Sequence, residues 1–477
     1  MFRSLKGRNY RIWFAGALLS NVGGWMQSTA QNWVVLTELS ENNASAVGVT
    51  MALQFGPQLL LVPFSGAVAD KFDRRKVLMV TQSLLMLCAA ALGVLLVTGT
   101  AELWHVYGFA LGLGIINAFD STSRQAFVSD LVSGDQISNA IALNSASFNS
   151  VRLVGPAVAG ILIAAVGSGW VFIINAVSFF AVLIALTFIK PAPRHAEPEQ
   201  PSTGQLRQLV AGFTYVRHRQ DLLVIFLMVF VLGAFSMNFP IIASTMAVEF
   251  GRDATDYGLL YSMLAIGSLT GALLVARRPA PRMRAVIAAA GGVGLVSVVG
   301  AFMPSFWAFA GSLVFLGFST ATLLTTANGF VQTTAAPHVR GRVIALYVAV
   351  LMGGTPLGAP LVGAAADSMG ARSTLVISGI AGMVAFLVGA VWLVTARKLR
   401  VHRGVGWRLQ VTHAGRPSLD DDPGKQLETL TAPLEVLRRE VAPIPIESSV
   451  PQDTAAVPLT TGRIGLARHI AKDEPEE

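Results

Sequence analysis

The stretch GAVADKFDRRK, Gly66–Lys76, places two acidic and four basic residues between two of the most apolar runs of the chain. Each of these flanking runs is long enough to cross about 30 Å of hydrocarbon as an α-helix. Charge of this density inside a bilayer would carry a large cost in free energy. The stretch is therefore predicted to form a turn at a membrane surface, between the second and third of several membrane-spanning helices.

The composition of the whole chain is that of a polytopic membrane protein. Of the 477 residues, 53% are hydrophobic and 13% are charged, whereas a soluble domain carries roughly a quarter charged residues. Apolar segments of roughly 18 residues or more recur about a dozen times, six before the polar region that begins at Lys190 and six after it. The predicted spans are 12–36, 46–68, 77–98, 103–122, 140–166, 170–189, 222–248, 257–276, 285–303, 306–333, 343–366 and 373–395.

Two polar regions divide the chain. Residues 190–221 begin with KPAPRHAEPEQPSTG and are predicted to form a cytoplasmic linker with an interfacial helix in its second part. The proline-rich polar tail cannot bury enough apolar surface to fold alone, so it is expected to be disordered. The predicted regions are an N-terminal six-helix bundle, 1–189, the linker, 190–221, a C-terminal six-helix bundle, 222–395, and a disordered cytoplasmic tail, 396–477.

Basic residues gather on one side of the predicted spans. If the spans alternate in direction, the N-terminal arm, the Gly66–Lys76 turn, the linker and residues 277–284 share one membrane face. The loops on the other face are mainly acidic. By the positive-inside rule, we expect both termini in the cytoplasm. Orientation also accounts for the net charge of +8, so nucleic-acid binding is not expected.

The two groups of spans share an internal repeat. A shift of 203 residues aligns Trp104 with Trp307 and, without a gap, Gly167 with Gly370. Parallel repeats of this kind are typical of transporters whose pathway lies between two halves, near the bilayer midplane. The repeat predicts an all-α membrane protein with twelve transmembrane helices in two pseudo-twofold-related six-helix bundles.

The charged turn also resembles a family signature. GAVADKFDRRK is similar to G-x-x-x-D-[RK]-x-G-[RK]-[RK], the loop signature of the major facilitator superfamily, except that Asp73 replaces the second glycine. Because Asp tolerates left-handed turn geometry, the turn is expected to survive. The resemblance implies a contact that locks one face of the transporter shut, whereas the alternative is that the charges only set the topology. The implied gating residues are Gly66, Asp70, Lys71, Arg74 and Arg75.

Four further stretches resemble one branch of this superfamily. They are GGWMQSTAQNWVV (23–35), FDSTSRQAFVSDLV (119–132), SNAIALNSASFNSVRLVGPAVAG (138–160) and RGRVIALY (340–347). The branch contains the enterobactin exporter and macrolide efflux proteins, which implies proton-driven export across a bacterial inner (plasma) membrane. RLVGPAVAG also partly matches the antiporter motif of span five, in which small residues and a proline let helices approach closely. The matching positions are Gly155, Pro156 and Gly160.

Charged residues inside spans are candidate site residues, because their insertion is costly. Asp120 and Arg124 lie four residues apart in span four and can share one helix face, while Arg152 lies in the middle of span five. Asp120 is either a proton-coupling residue, with Arg124 or Arg152 setting its affinity for the proton, or a permanently paired structural acid. Arg152 either binds an anionic group of the substrate or holds Asp120 or helix carbonyls.

Amide side chains inside spans either bind a ligand or join helices through hydrogen bonds. Span one carries several of them, and the first span of each three-helix group lines the cavity in the fold that the resemblance implies. The amide residues expected to line a substrate cavity are Asn21, Gln27, Gln31, Asn144, Asn149, Asn238 and Asn328.

The sequence contains neither a G-x-x-x-x-G-K-[ST] phosphate loop nor H-E-x-x-H, G-x-S-x-G or a Cys/His cluster. We therefore expect no enzyme activity, cofactor or metal. The expected function is proton-coupled export of a small amphipathic drug, siderophore or metabolite by a monomer that alternates its access between the two sides. The alternatives are a proton-coupled importer and a non-transporting scaffold or sensor that acts through the tail.

Overall fold

The computed structural model of the protein describes residues 3–189, 212–278, 280–396, 399–403 and 409–413. Within these ranges lie thirteen long helices, two short 3-10 helices (Arg3–Lys6 and Gly134–Gln136) and one pair of strands. The helices are α1 Arg8–Thr37, α2 Ala44–Lys71, α3 Arg74–Val97, α4 Leu103–Asp130, α5 Ile137–Val166, α6 Ser168–Phe188, α7 Gln220–Phe235, α8 Phe239–Glu249, α9 Ala254–Ala276, α10 Met283–Ala301, α11 Phe306–Thr334, α12 Arg340–Met369 and α13 Arg372–Ala396.

These helices follow the twelve predicted spans, because α7 and α8 are two segments of one span that breaks at residues 236–238. Ten of the spans in the described ranges are long and apolar enough to cross a membrane by length and composition. The two that fall short are α1 and α4, which carry the amide and charged residues singled out above. Polarity inside a span is tolerated where the helix faces the protein interior rather than lipid.

The repeat seen in the sequence is also present in the helices. α5 and α12 each contain 30 residues, and each ends at a glycine with a left-handed backbone: Gly167 has a φ of +90° and Gly370 a φ of +86°. Glycine adopts this conformation without the steric cost that a Cβ atom imposes. The predicted all-α fold with two related six-helix bundles is therefore confirmed.

We name the membrane face that holds residues 3–8 and the turn between α2 and α3 the N-terminal face, and the other the opposite face. The two halves pack together at the opposite face, where α5 meets α9 and α2 meets α12. A Cβ atom built at Gly160 would lie 2.5 Å from the carbonyl oxygen of Ala254, at the start of α9. A Cβ built at Gly363 would lie 2.5 Å from the carbonyl oxygen of Ala44, at the start of α2. The two contacts correspond under the pseudo-twofold relation.

The two segments of span seven show where the halves separate. At the opposite face, α8 contacts α1 and α2 of the other half, whereas α7, at the N-terminal face, packs against α11, α12 and α13 of its own half. Apolar side chains on the N-terminal parts of α5 and α12 stay exposed, including Phe148 (47%) and Met352 (46%). The space between the halves is therefore closed at the opposite face and opens towards the N-terminal face.

The described part of the linker packs on the C-terminal half. Residues 212–217 are helical, Val216 is buried, and the Tyr215 hydroxyl accepts a hydrogen bond from the Ala336 amide. Just before α7, Arg219 pairs with Asp221 at 2.7 Å, and the hydrogen bonds that the guanidinium donates to this carboxylate raise the pKa of the guanidinium. The earlier part of the predicted interfacial helix lies outside the described residues.

Ten residues of the tail differ from the expectation of disorder. The strand β1, Leu399–Arg403, pairs in antiparallel register with β2, Leu409–His413, so that Val401 lies opposite Val411. Both segments alternate apolar and polar residues, a pattern that matches the two-residue period of a strand. Residues 397–398, 404–408 and all those from 414 onwards lie outside the described part of the chain.

Candidate functional site

One face of α1 borders the space between the two halves. Asn21, Trp25, Ser28 and Asn32 are spaced by three or four residues, which places them on one side of a helix. Asn21 accepts a 3.5 Å hydrogen bond from Arg124, and Asn32 donates to the Ser28 carbonyl at 2.8 Å. This face combines amides with one large aromatic ring, and Trp25 is a member that the sequence reasoning missed.

Arg152 of α5 is a second charged residue beside this face, at the interface of the halves. Its guanidinium lies over the Trp25 ring, 5.6 Å from the centroid, and Tyr261 of α9, in the other half, lies close enough to sense its charge. Phe148, one turn earlier on α5, packs edge to face on Trp25 at 5.8 Å. Its side chain is exposed to the space between the halves, although protein surrounds that space on most sides. An exposed arginine between aromatic residues of both halves lies at the space between them, away from Asp120.

An aromatic cluster forms the facing wall in the C-terminal half. The Tyr257 and Tyr261 hydroxyls are 3.3 Å apart, one turn from each other on α9. Tyr257 stacks on Trp33 of α1 at 5.3 Å, and Tyr261 meets Phe239 of α8 edge to face at 4.8 Å. The pair of tyrosines inside an apolar span is a signal that could have identified this wall from the sequence.

The Asp120 carboxylate is fully engaged inside the N-terminal half. Thr81 donates to its Oδ1 at 2.8 Å and Gln82 at 2.6 Å, while Arg124 pairs with Oδ2 at 3.0 Å. Only 4% of Asp120 is exposed. The Arg124 guanidinium also lies over the Trp13 ring at 5.6 Å. The helix-face pairing expected for Asp120 and Arg124 is present, and Arg152 takes no part in it.

Several of the amides join helices. Asn175 of α6 donates to Gln27, and Gln31 donates to Gln54 of α2 at 3.2 Å. Gln27 and Gln31 are both buried. Near the N-terminal face, Asn328 accepts from Gln332 on its own helix at 2.6 Å. Gln27 and Gln31 thus join helices in this conformation, which is the second of the two roles considered for them, whereas the bond of Asn328 stays within α11.

The remaining amides lie on α5 and at the break in span seven. Asn144 is half-buried on the N-terminal part of α5, and the side chain of Asn149 lies outside the described residues. Asn238 is fully buried beside the break, where its Nδ2 donates to the Ala234 carbonyl and its Oδ1 has no partner among the described residues. Pro240 at the start of α8 accounts for the break, because proline fits the first turn of a helix.

The charged turn has a different geometry from the one expected. Asp73 has φ −64° and ψ 113°, so it is not left-handed; it is the N-cap of α3 and accepts from the Arg75 amide at 2.9 Å. An aspartate in this position satisfies helix amides that would otherwise lack a partner. The expectation of a left-handed Asp73 is therefore wrong, and the turn is maintained by capping.

The other residues of the turn divide into two groups. Arg74 pairs with Asp130 of α4 at 2.8 Å, and Arg75 donates to the Thr187 carbonyl of α6. Both contacts stay within the N-terminal half. Asp70 and Lys71 are exposed at the end of α2, and no described residue forms a hydrogen bond or ion pair with Asp70. In a conformation open at this face, the contact that the resemblance implies for Asp70 is absent.

We expect Asp73→Ala to lower the stability of the protein by about 1 kcal/mol, since alanine cannot cap α3, and Asp73→Gly by only a few tenths. Thermal unfolding of the two variants in the same detergent measures the difference. Equal losses for the two substitutions would show that Asp73 does not act as a cap.

The residues of the antiporter motif lie at helix contacts. A Cβ atom at Gly155 would lie 2.6 Å from the Cβ of Trp25, and the Pro156 carbonyl lies 2.6 Å from a Cβ built at Gly258 of α9. With Gly160 against Ala254, the motif thus packs α5 on α1 and on α9. Its small residues allow the close approach of the two halves at the opposite face.

A carboxylate joins the halves at the same face. Asp367 of α12 accepts hydrogen bonds from the amides of Ala44 (2.6 Å) and Ser45 (2.8 Å) at the start of α2, and from the Ser45 hydroxyl. A negative charge is favourable at a helix N-terminus. The corresponding helix start in the other half, α9, is capped within its own half by Asp253. The start of α2 also has a cap from its own half, Asn43, so Asp367 adds a contact between the halves, which we call the latch. The sequence reasoning missed this residue.

We expect Asp367→Ala to shift the conformational equilibrium by about tenfold towards states open at the opposite face, because the loss of a helix cap costs about 1 kcal/mol or more. A cysteine at Thr245, which lines a cleft of about 310 Å³ beside Asp367, reports the opening through its rate of thiol labelling. The background carries Cys88→Ser, since Cys88 is the single native cysteine.

Asp253→Ala is the matched control, because it removes a cap within one half. It should leave the labelling rate at Thr245 unchanged. If both substitutions raise the rate equally, Asp367 is an ordinary cap and not a latch between the halves.

The described residues contain no group of three or more His, Cys, Asp or Glu side chains able to hold a metal ion.

Three features define the candidate site. They are two related bundles, a space between them that is closed at one face, and a lining of aromatic, amide and arginine side chains. These are the features of a multi-pass secondary transporter of the major facilitator type.

The chain belongs to the family MFS_3, described as transmembrane secretion effector, which matches residues 2–402. The staphyloferrin A transporter of Staphylococcus aureus (strain NCTC 8325 / PS 47) is 26% identical over 385 residues, covering 78% of this chain and 92% of its own length. The multidrug efflux pump Tap of Mycolicibacterium fortuitum is 26% identical over 409 residues, covering 84% and 98%. The enterobactin exporter EntS of Salmonella typhimurium (strain LT2) is 24% identical over 375 residues, covering 77% and 88%.

A solved structure shares the fold. The crystal structure of a bacterial homologue of the human lysosomal transporter Spinster, in an inward-facing and unoccupied conformation, superposes with a TM-score of 0.65. The two chains are 14% identical, and the match covers 81% of this chain and 98% of the other. The expected membership of the drug and siderophore exporter branch of the major facilitator superfamily is confirmed by the family and its relatives, and the chain is a transporter rather than an enzyme.

Proposed function

We propose that the protein exports a small amphipathic compound from the cytoplasm of a bacterium in exchange for protons, working as a monomer by alternating access. The observation that carries this proposal is the pair of matching contacts at Gly160 and Gly363, which close the space between the halves at one face while the other stays open. Two of the relatives are described as an efflux pump and an exporter, which supports the direction.

The orientation belongs to the same proposal. The N-terminal face carries the basic clusters, so the positive-inside rule places it in the cytoplasm. The described conformation is then open to the cytoplasm, where an exporter loads its substrate. Asp70, exposed at the end of α2, is proposed to meet the C-terminal half when this face closes, together with Gly66, Lys71, Arg74 and Arg75 of the same turn.

Asp120 and Arg124 are proposed as the proton-coupling pair, because Asp120 is the acidic residue buried inside a described span. In the open conformation its carboxylate has three partners. Coupling therefore requires a second conformation in which Arg124 moves away and a proton replaces it. Arg124 of α4 also donates a hydrogen bond to Asn21 of α1, and this bond connects the pair with the lining of the cavity.

The direct test uses inside-out membrane vesicles that contain the full chain and an acidic lumen. We expect compounds from an extract of the parent cells to be concentrated in the lumen, with a simultaneous rise of luminal pH that a trapped pH dye records. Mass spectrometry of the lumen identifies the cargo. Accumulation without the proton gradient, or only in right-side-out vesicles, would contradict proton-driven export.

A further inference from the structure

Among the charged side chains inside the described spans, Arg152 has no oppositely charged partner. Within the described ranges, three charged side chains lie well inside membrane-spanning helices: Asp120, Arg124 and Arg152. The first two neutralise each other through a 3.0 Å ion pair. Arg152 forms no ion pair with any described residue. A positive charge inside a membrane protein normally faces a partner or a water-filled cavity, so the site has an unmet preference for a negative charge.

The surroundings of Arg152 define what else a ligand would meet there. Trp25 lies 5.6 Å from the guanidinium, Phe148 packs on Trp25, and Tyr261 approaches from the other half. Aromatic rings bind aromatic or apolar groups of a ligand, while tyrosine adds a hydroxyl. A guanidinium binds carboxylates and related oxyanions through two parallel N–H donors. The site therefore pairs a cation with an aromatic surface.

We propose that the substrate is an amphipathic anion, with an acidic oxygen group attached to an aromatic or apolar frame. Arg152 binds the acidic group, and Trp25 and Tyr261 contact the frame from the two halves. Since the unneutralised charge of the cavity is positive, lipophilic cations are repelled. This inference rests on the proposed export function, and it assigns the class of cargo that the site accepts.

Contacts from both halves also connect binding with the transport cycle. Trp25 and Arg152 belong to the N-terminal half, and Tyr261 belongs to α9 in the C-terminal half. A ligand that contacts all three bridges the halves, so its binding favours conformations in which they approach each other at this level. A ligand held by one half alone would have no such effect.

The test uses three dansyl compounds that share a fluorophore and differ in charge: dansylglycine (anion), dansylamide (neutral) and dansylcadaverine (cation). Their dissociation constants for the purified full chain are measured by fluorescence anisotropy. We expect dansylglycine to bind at least about tenfold more tightly than dansylcadaverine, the ratio typical of one charge-assisted contact. Arg152→Gln should abolish this preference, Arg152→Lys should retain part of it, and Arg152→Glu should reverse it.

Arg217→Gln, in the exposed segment before α7, is the control that changes net charge by the same amount outside the cavity. Retention volume and thermal unfolding establish that each variant is folded. Equal binding of anion and cation by the native chain, absence of dansylglycine binding, or an unchanged preference in Arg152→Gln would overturn the proposal.

The two proposals fail in different ways. If inside-out vesicles concentrate a cationic tracer with the proton gradient, export is supported and the anion site is overturned. If dansylglycine binds in an Arg152-dependent manner but no compound is concentrated, the anion site is supported and proton-driven export is overturned.

Discussion

Replacing Gly363 by valine should lower the transport rate by about ten- to a hundredfold, because the added side chain collides with the start of α2. A Cβ atom there would lie 2.5 Å from the Ala44 carbonyl oxygen and 2.9 Å from the Cα atom of Ser45. Both neighbours are backbone atoms, which cannot turn away as a side chain can. The two helices must then separate, so the opposite face closes less often and the cycle slows.

The pseudo-twofold relation makes the same prediction for Gly160→Val, whose Cβ would meet the Ala254 carbonyl. The matched control is Gly311→Val on α11, since a Cβ at Gly311 has no atom within 4 Å. Initial rates of uptake into inside-out vesicles measure the effect. Full transport by either variant at the interface would show that closure at the opposite face is not part of the cycle.

Replacing Asp120 by leucine should destabilise the protein by about 3–5 kcal/mol, the usual cost of leaving one member of a buried ion pair without its partner. Arg124 would remain in the bundle with no carboxylate, and the donors of Thr81 and Gln82 would lose their acceptor. The double variant Asp120→Leu/Arg124→Met removes both charges and should recover most of this loss. Thermal unfolding of the single and double variants measures the recovery.

Transport by the double variant separates the two roles of Asp120. If the residue couples proton entry to export, the double variant is stable but does not transport with the proton gradient. Restored gradient-driven transport would show that Asp120 is only a structural acid. Asp130→Ala serves as a control, because its ion pair with Arg74 is partly exposed and such pairs contribute about 0–1 kcal/mol.

Much of the fold could be predicted from the sequence, because hydropathy and charge act over whole segments. The span predicted at 140–166 is α5, Ile137–Val166, and the glycines aligned by the repeat, Gly167 and Gly370, end α5 and α12 with the same backbone conformation. The break in span seven was not predicted, because the residues around it are mostly apolar and only Pro240 marks a new helix start.

The site was harder to predict, since it depends on which way each helix faces. Asn21 and Gln27 are both amides on α1, yet Asn21 contacts Arg124 near the cavity whereas Gln27 joins α1 to α6. Their difference arises from tertiary packing, which composition does not record. Asp367 was missed for a similar reason, because its partner at the start of α2 is more than 300 residues away in the chain.

The central claim is that the two halves move against each other so that one face opens as the other closes. Spin labels at Thr100 and Phe302 report the opposite face, and labels at Phe72 and Arg278 report the N-terminal face; all four are exposed. Double electron–electron resonance measures the distance between the two labels of each pair, in the Cys88→Ser background with and without Gly363→Val. The account predicts that the first distance lengthens in the variant while the second shortens, and a change of both in the same direction would contradict it.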